Sequence, residues 1–229
     1  MNDIVDIKLA EKIANDLFGL TGEIIPQVGY EDFNFRLKSS KGDYILKVSR
    51  PGADPAYLDY QQKILQHIQS SEAVDQYPKT FPDLQGNYIS SFQDKNGNTR
   101  LVRLLSWIEG RLWSSVDPKN NSLLNSLGIQ AGKITKALNN FDHPEAHRIL
   151  EWDLAQASLT KKHIHLFAGR QKELAHKFLA AFEENLSEYN TLRKSVIHND
   201  VNDNNILVSK HKHSAKAAFK QASVMAVID

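Results

Sequence analysis

The chain has no cysteine in its 229 residues, which excludes disulfides, thiolate metal sites and a cysteine nucleophile. It also has almost no net charge: 28 Lys and Arg stand against 27 Asp and Glu, a formal +1. A balance of that kind leaves no broad electrostatic footprint for a nucleic acid or an anionic lipid surface, so neither partner is expected. Long apolar runs are missing as well, and none approaches the roughly 18 residues that span a bilayer. The opening "MNDIVDIKLAEK" lacks the basic start and apolar core of a secretory leader, and a cytoplasmic location is expected. No internal repeat or long low-complexity segment stands out, and no GxGxxG occurs. What is present, 41% hydrophobic and 24% charged residues, suffices for a buried core in one or two domains.

Two periodicities divide the chain. In "DIKLAEKIANDLFGL" the apolar residues Ile7, Ala10, Ile13, Ala14, Leu17 and Phe18 share one helical face, and Gly19 can end the helix. Short strands follow: "EIIPQV", "FNFRLKS" with alternating Phe33, Phe35 and Leu37, and "YILKVSR" beyond the turn "SSKGD". "PGADP" breaks the chain before a helix over "AYLDYQQKILQHIQS". "NYISSFQ" and "RLVRLLSWI" read as two further strands about the turn Asp94 to Asn98. From about residue 111 the spacing is helical, in "SLLNSLGIQAGKITKALNNF" and again in "QKELAHKFLAAFEENLSEY". The expected organisation is therefore an α+β chain. It has a five-stranded antiparallel sheet with an inserted helix over 1–105, a hinge at 106–110 and a mostly helical region over 111–229.

One stretch interrupts the helical region. "SVIHNDVNDNNILVSK", residues 195–210, crowds acids and carboxamides between two short apolar runs, and a second apolar strand, "ASVMAVID", closes the sequence. A loop with an acid at Asp200 and a carboxamide at Asn205 can orient a hydroxyl with the first and hold a divalent cation with the second. His198 would brace the loop, and Asp229 would bring a second oxygen ligand to the same edge. That is the requirement of phosphoryl transfer.

"HNDVNDNN" resembles the His-x-Asp-x-x-x-x-Asn catalytic loop of the aminoglycoside phosphotransferase and choline kinase superfamily, relatives of the protein kinases. "AVID" resembles its metal-binding strand, "YILKV" its nucleotide-anchoring lysine strand, and "VRLLSWIEGRLW" its last sheet strand and hinge. "NNFDHPEAHRILEWDL" is similar to a segment of the hydroxylysine kinase-like branch.

The resemblance implies a two-lobed protein kinase-like fold in which Asp200 and His198 serve catalysis and Asn205 and Asp229 bind Mg²⁺. Lys47 then meets the nucleotide phosphates. The helix glutamate that such a lysine normally pairs with is replaced by Gln61 or Gln62. Gly29 is the one glycine of a phosphate-covering turn, and Ser106, Trp107 and Ile108 present main chain to the purine. ATP or GTP is the implied donor, and the acceptor is the hydroxyl of a small amino-bearing metabolite. Hydroxylysine is favoured, with choline, ethanolamine, homoserine, methylthioribose or an aminoglycoside as alternatives; a pseudokinase without catalysis is the competing reading. Resembling kinases continue past the position of Asp229, which implies a C-terminally truncated chain with little activity of its own.

Several residues read more plainly. Arg103 is expected to be structural, and Trp107 serves equally well as core packing. The pairs His163 and His165, and His211 and His213, are ordinary solvated side chains rather than zinc ligands. Trp152, between Glu151 and Asp153, reads as a structural tryptophan at a helix start, with an ammonium-holding site as the second reading.

Overall fold

The structure is a computed structural model, and it describes residues 5–29, 32–71, 77–117, 119–150, 152–209 and 223–228. The first helix, α1 (Ile7–Phe18), starts where the Asp6 carboxylate accepts the Leu9 N–H at 2.8 Å and stops where Gly19 turns left-handed at φ 61°. Its buried residues Ala10, Ile13, Ala14 and Phe18 lie on the face that the 3.6-residue period marks out.

That face packs on an antiparallel sheet built from β1 (Gly22–Gln27), β2 (Asp32–Ser39), β3 (Gly42–Ser49), β4 (Thr80–Phe81), β5 (Ser90–Gln93) and β6 (Thr99–Ser106). The strand order is β1-β2-β3-β6-β4, with β5 also paired to β6. The five expected strands are present. The sixth, β4, is only two residues long, too short to leave a period in the sequence. Alternation sends Phe35, Leu37, Leu46, Val48, Val102 and Leu104 into one core with α1. The register aligns Asn34 with Lys47 and Lys47 with Arg103, so these three polar residues form a row across the sheet on its other face.

Helix α2 (Pro55–Gln69) begins with Pro55 in its first turn and the Asp54 carboxylate accepting the Ala56 N–H at 2.9 Å. Its far end meets α3 (Asn121–Ala137): His67 Nε2 lies 3.0 Å from the Ala137 carbonyl, and Phe141 stacks against Tyr60 and meets the His67 ring at a tilt. A three-stranded sheet of β7 (Arg111–Leu112), β8 (Ile206–Val208) and β9 (Val224–Val227) packs Ile206, Val208 and Val224 with Trp113, Val116 and Leu123. Helix α3 grips its edge, since Ser126 Oγ accepts the Val224 N–H at 2.8 Å.

The chain divides into two compact units, Met1–Phe141 with Val196–Asp229, and Asp142–Ser195. The second unit holds 3₁₀ turns over Pro144–His147 and Leu154–Leu166, followed by α4 (Gly169–Tyr189). His143 Nδ1 accepts the Glu145 N–H at 3.1 Å and so caps the first of these turns. Asp153 caps the second, accepting the Ala155 N–H at 3.0 Å. Trp152 is 86% exposed and is therefore not a packing residue; Glu151 beside it lies outside the described residues. Among the described residues no helix is long and apolar enough to cross a membrane, and no cluster of three His, Asp or Glu could hold a metal ion.

Candidate active site

The loop from Val196 to Asn205 is organised by its own side chains. Both oxygens of Asp200 accept carboxamide N–H groups, Oδ1 from Asn202 Nδ2 at 2.8 Å and Oδ2 from Asn205 Nδ2 at 2.8 Å. Asn205 Nδ2 also donates to the Asp200 carbonyl at 3.0 Å. Because the nitrogen of that carboxamide is committed to Asp200, its oxygen is the atom turned to other partners. Asn202 completes the turn: its Oδ1 accepts the Asn204 N–H at 2.8 Å, and its carbonyl accepts the Asn205 N–H at 3.0 Å. His198 Nδ1 accepts the Asp200 N–H at 3.3 Å.

Between His198 and Asp200, Asn199 sits at φ 63°, the one described non-glycine residue with positive φ. Asparagine tolerates that left-handed conformation better than most residues, and the Asp200 side chain that follows is exposed. The flanks of the loop are fixed from outside. The Ser114 N–H donates to the Asp203 carbonyl at 3.0 Å and the Ile228 N–H to the Asn205 carbonyl at 2.7 Å, so β9 ends beside Asn205. Asp229, the expected second oxygen ligand, lies outside the described residues. The one metal donor that is described, the Asn205 carboxamide oxygen, is of the hard-oxygen kind that Mg²⁺ or Ca²⁺ takes.

Lys47 stands in the polar row of the large sheet, its Nζ 3.8 Å from Asp32 Oδ2. Asp32 Oδ2 also accepts Arg103 Nη2 at 2.9 Å, and Arg103 Nη1 donates to Gln61 Oε1 at 2.6 Å. The two carboxamides expected near the lysine thus separate: Gln61 serves Arg103, while Gln62 is buried with an unpartnered Nε2. Arg103 is structural in the expected sense, but it is also part of the lysine's surroundings. Sequence reading passed over Asp32, although strand alternation puts it on the same face as Asn34, the residue opposite Lys47.

Gly29 is required by close approach. A Cβ there would collide with the Asp32 carbonyl oxygen and the Asn34 carboxamide, so only glycine lets the end of β1 close down on the start of β2. Asn34 Nδ2 reaches the Val28 carbonyl at 3.3 Å across the same gap.

In the segment after β6, the Ser106 N–H donates to the Lys79 carbonyl at 2.7 Å and the Trp107 N–H to the Asp43 carbonyl at 3.0 Å. Both amides are therefore held by the sheet, whereas Ile108 lies beyond the β3 and β6 register. The Trp107 ring lies under the Arg36 guanidinium, 4.4 Å from its centroid, and its Nε1 donates to Glu109 at 3.1 Å. Arg36 is ion-paired with Asp43 and Glu109, and these hydrogen bonds outweigh burial to push its pKa up.

An antiparallel sheet with a polar lysine row, a mainly helical region and a strand-flanked Asp and Asn loop together define a chain of the kinase-like α+β class. The chain belongs to the phosphotransferase enzyme family (APH), whose model matches residues 24–216. It is similar to hydroxylysine kinase of Mus musculus, 27% identical over 232 residues that cover 93% of this chain and 61% of that protein. The Xenopus laevis hydroxylysine kinase is 27% identical over 241 residues, covering 96% and 63%. The chain thus spans about three-fifths of the length of the curated relatives it matches. Among solved structures, an amicoumacin kinase in complex with AMP-PNP, Ca²⁺ and Ami has a TM-score of 0.68 at 15% identity, over 98% of this chain and 64% of the other. A microcompartment-associated aminopropanol kinase has the same score and identity, over 98% and 69%. These two likenesses establish the fold.

Proposed function

We propose that the chain carries the nucleotide-binding and catalytic residues of a small-molecule kinase. It transfers the γ-phosphoryl of ATP or GTP to the hydroxyl of a small amino-bearing metabolite, with hydroxylysine as the favoured acceptor. The observation that carries this reading is the pairing of an exposed Asp200 carboxylate with an Asn205 carboxamide whose nitrogen is already committed to it. The acceptor oxygen forms a bond to the γ-phosphorus as the bond from that phosphorus to the β,γ-bridging oxygen breaks, and the acceptor proton passes to Asp200. His198 holds the loop. Asn205 and Asp229 hold Mg²⁺, which supplies neutralisation of charge on the phosphates. Lys47 contacts the phosphates beneath the turn at Gly29. Main chain of Ser106, Trp107 and Ile108 faces the purine, with Ile108 as the amide donor, since the other two amides serve the sheet. In this reading residues 1–105 are the nucleotide-binding lobe, 106–110 the hinge and 111–229 the catalytic region.

The hydroxylysine kinases of similar sequence favour that acceptor. The AMP-PNP and Ca²⁺ of the amicoumacin kinase favour a nucleotide donor with a divalent cation. The test is a melting-temperature panel of ATP, GTP and ADP with and without Mg²⁺, followed by ADP formation with hydroxylysine and other amino alcohols. Stabilisation by a Mg²⁺-nucleotide and, in the full-length protein, acceptor-dependent ADP formation are expected. A melt insensitive to every nucleotide overturns the reading, and stabilisation without turnover by the full-length protein favours a nucleotide-binding module instead.

A further inference from the structure

Beside Lys47, the Asp32 carboxylate lies between two cations. Asp32 Oδ2 lies 2.9 Å from Arg103 Nη2 and 3.8 Å from Lys47 Nζ, and the three side chains are largely buried, with 13%, 6% and 12% of their surfaces exposed. Helix α2 contributes the neutral Gln61, and its Oε1 is taken by Arg103 at 2.6 Å. An arginine fork suits such a junction: its donors are fixed in one plane, so tying Nη1 to the helix and Nη2 to Asp32 sets where the carboxylate stands. At 3.8 Å that carboxylate acts on the lysine ammonium by charge, beyond hydrogen-bond length. Asp32 opens β2, and its main chain is what Gly29 closes against.

From this we infer that Asp32 is the positioning carboxylate of Lys47 and that Arg103 clamps it in place. The position of the lysine is thereby coupled to the start of β2. The inference rests on the proposed contact of Lys47 with nucleotide phosphates.

Titration calorimetry of the 229-residue chain with Mg²⁺-ATP and with adenosine tests this, because adenosine lacks the groups that Lys47 would hold. Asp32→Asn is expected to weaken Mg²⁺-ATP by about tenfold, the effect of losing a charged partner, and to leave adenosine affinity unchanged. A merely structural role would weaken both ligands alike. Gln61→Glu, added to Asp32→Asn, returns a carboxylate to the cluster from the helix side and is expected to restore most of the Mg²⁺-ATP affinity. Arg103→Lys keeps the charge, loses the fork, and should fall between wild type and Asp32→Asn. Equal weakening of both ligands by Asp32→Asn, or no rescue by the added glutamate, overturns the inference. Lys47→Ala in the same titration separates the two levels. If it weakens Mg²⁺-ATP while Asp32→Asn does not, the inference alone fails. If Lys47→Ala leaves Mg²⁺-ATP binding unchanged, the lysine reading fails and the inference with it.

Discussion

The large sheet and the Asp200 loop both hold polar groups in defined places, and they do so by opposite means. In the sheet, Asn34, Lys47 and Arg103 are placed by strand register, and the opposite face of the same strands is anchored in a core with α1. Burial makes those positions hard to shift, and each buried charge then needs a partner: Arg103 has Asp32 and Gln61, and Arg100 has Asp94. In the loop the stabilising contacts are short-range hydrogen bonds among His198, Asp200, Asn202 and Asn205, made close to solvent, with one residue in a left-handed conformation. The contrast teaches where each kind of chemistry can sit. Under the proposed function, the group that stays in one place beneath a ligand is served by a strand, and the group that exchanges a proton with a ligand is served by an exposed turn.

The sharpest way to separate the regions is Asp200→Asn. Asparagine keeps the size of the side chain and removes the proton acceptor, so ADP formation should fall by about 10²-fold or more while Mg²⁺-nucleotide affinity measured by calorimetry stays nearly the same. Retention of wild-type turnover would remove Asp200 from catalysis.

Leu46→Ala probes the other side of the comparison. Leu46 is fully buried between sheet and α1, and denaturant unfolding should show a loss of about 2–5 kcal/mol. Asn202→Ala, which deletes hydrogen bonds in the exposed loop, should cost no more than about 1–2 kcal/mol. Equal losses at the two positions would contradict the division drawn here.

A smaller effect is expected at Asn199. Valine strains the left-handed backbone, and about 1–3 kcal/mol of stability should go with it. Glycine accepts the conformation, so Asn199→Gly should melt close to wild type.

The smallest predicted effect is a pH dependence to which carboxyls in the turns beside β4 and β5 contribute. Burial works to raise the pKa of Asp94, but the N–H groups of Asn98 and Asn96, the Arg100 guanidinium and the Asn98 side chain together lower it from 3.8 to about 2. A carboxyl depressed in the folded state contributes stability that is complete above its ordinary pKa near 4 and is lost as pH falls towards 2. Asp83 is shifted in the same direction: against its burial, the Asn87 N–H, the Ser90 hydroxyl, the Asn87 side chain and the Gln85 N–H hold it low. Melting midpoints should decline between about pH 4 and 2, and Asp94→Asn should flatten part of that decline.

Local patterns accounted for a good deal. The period of α1, its stop at Gly19, the start of α2 behind Asp54 and the turn at Asp94 to Asn98 are all contained within a few neighbouring residues, where capping and backbone preference act. The motif about Asp200 was legible for the same reason, because its hydrogen bonds span five residues or fewer. Trp152 went the other way: a large aromatic at a helix start reads as core, yet nothing in its local pattern says whether another element covers it. The hairpin segment with His211 and His213 falls outside the described residues.

By itself, then, the sequence determined the helices and strands with strong periods, the exclusion of thiol chemistry and the local hydrogen bonding of the Asp and Asn loop, since each depends on composition or on contacts between near neighbours. Only the tertiary structure decided that Gln61 turns to Arg103, that Asp32 stands between Arg103 and Lys47, that the amides of Ser106 and Trp107 are held by the sheet, and that β9 ends beside Asn205. Those pairings join residues tens of positions apart. Strand register and the packing of α2 bring them together, and neither leaves a period in the chain.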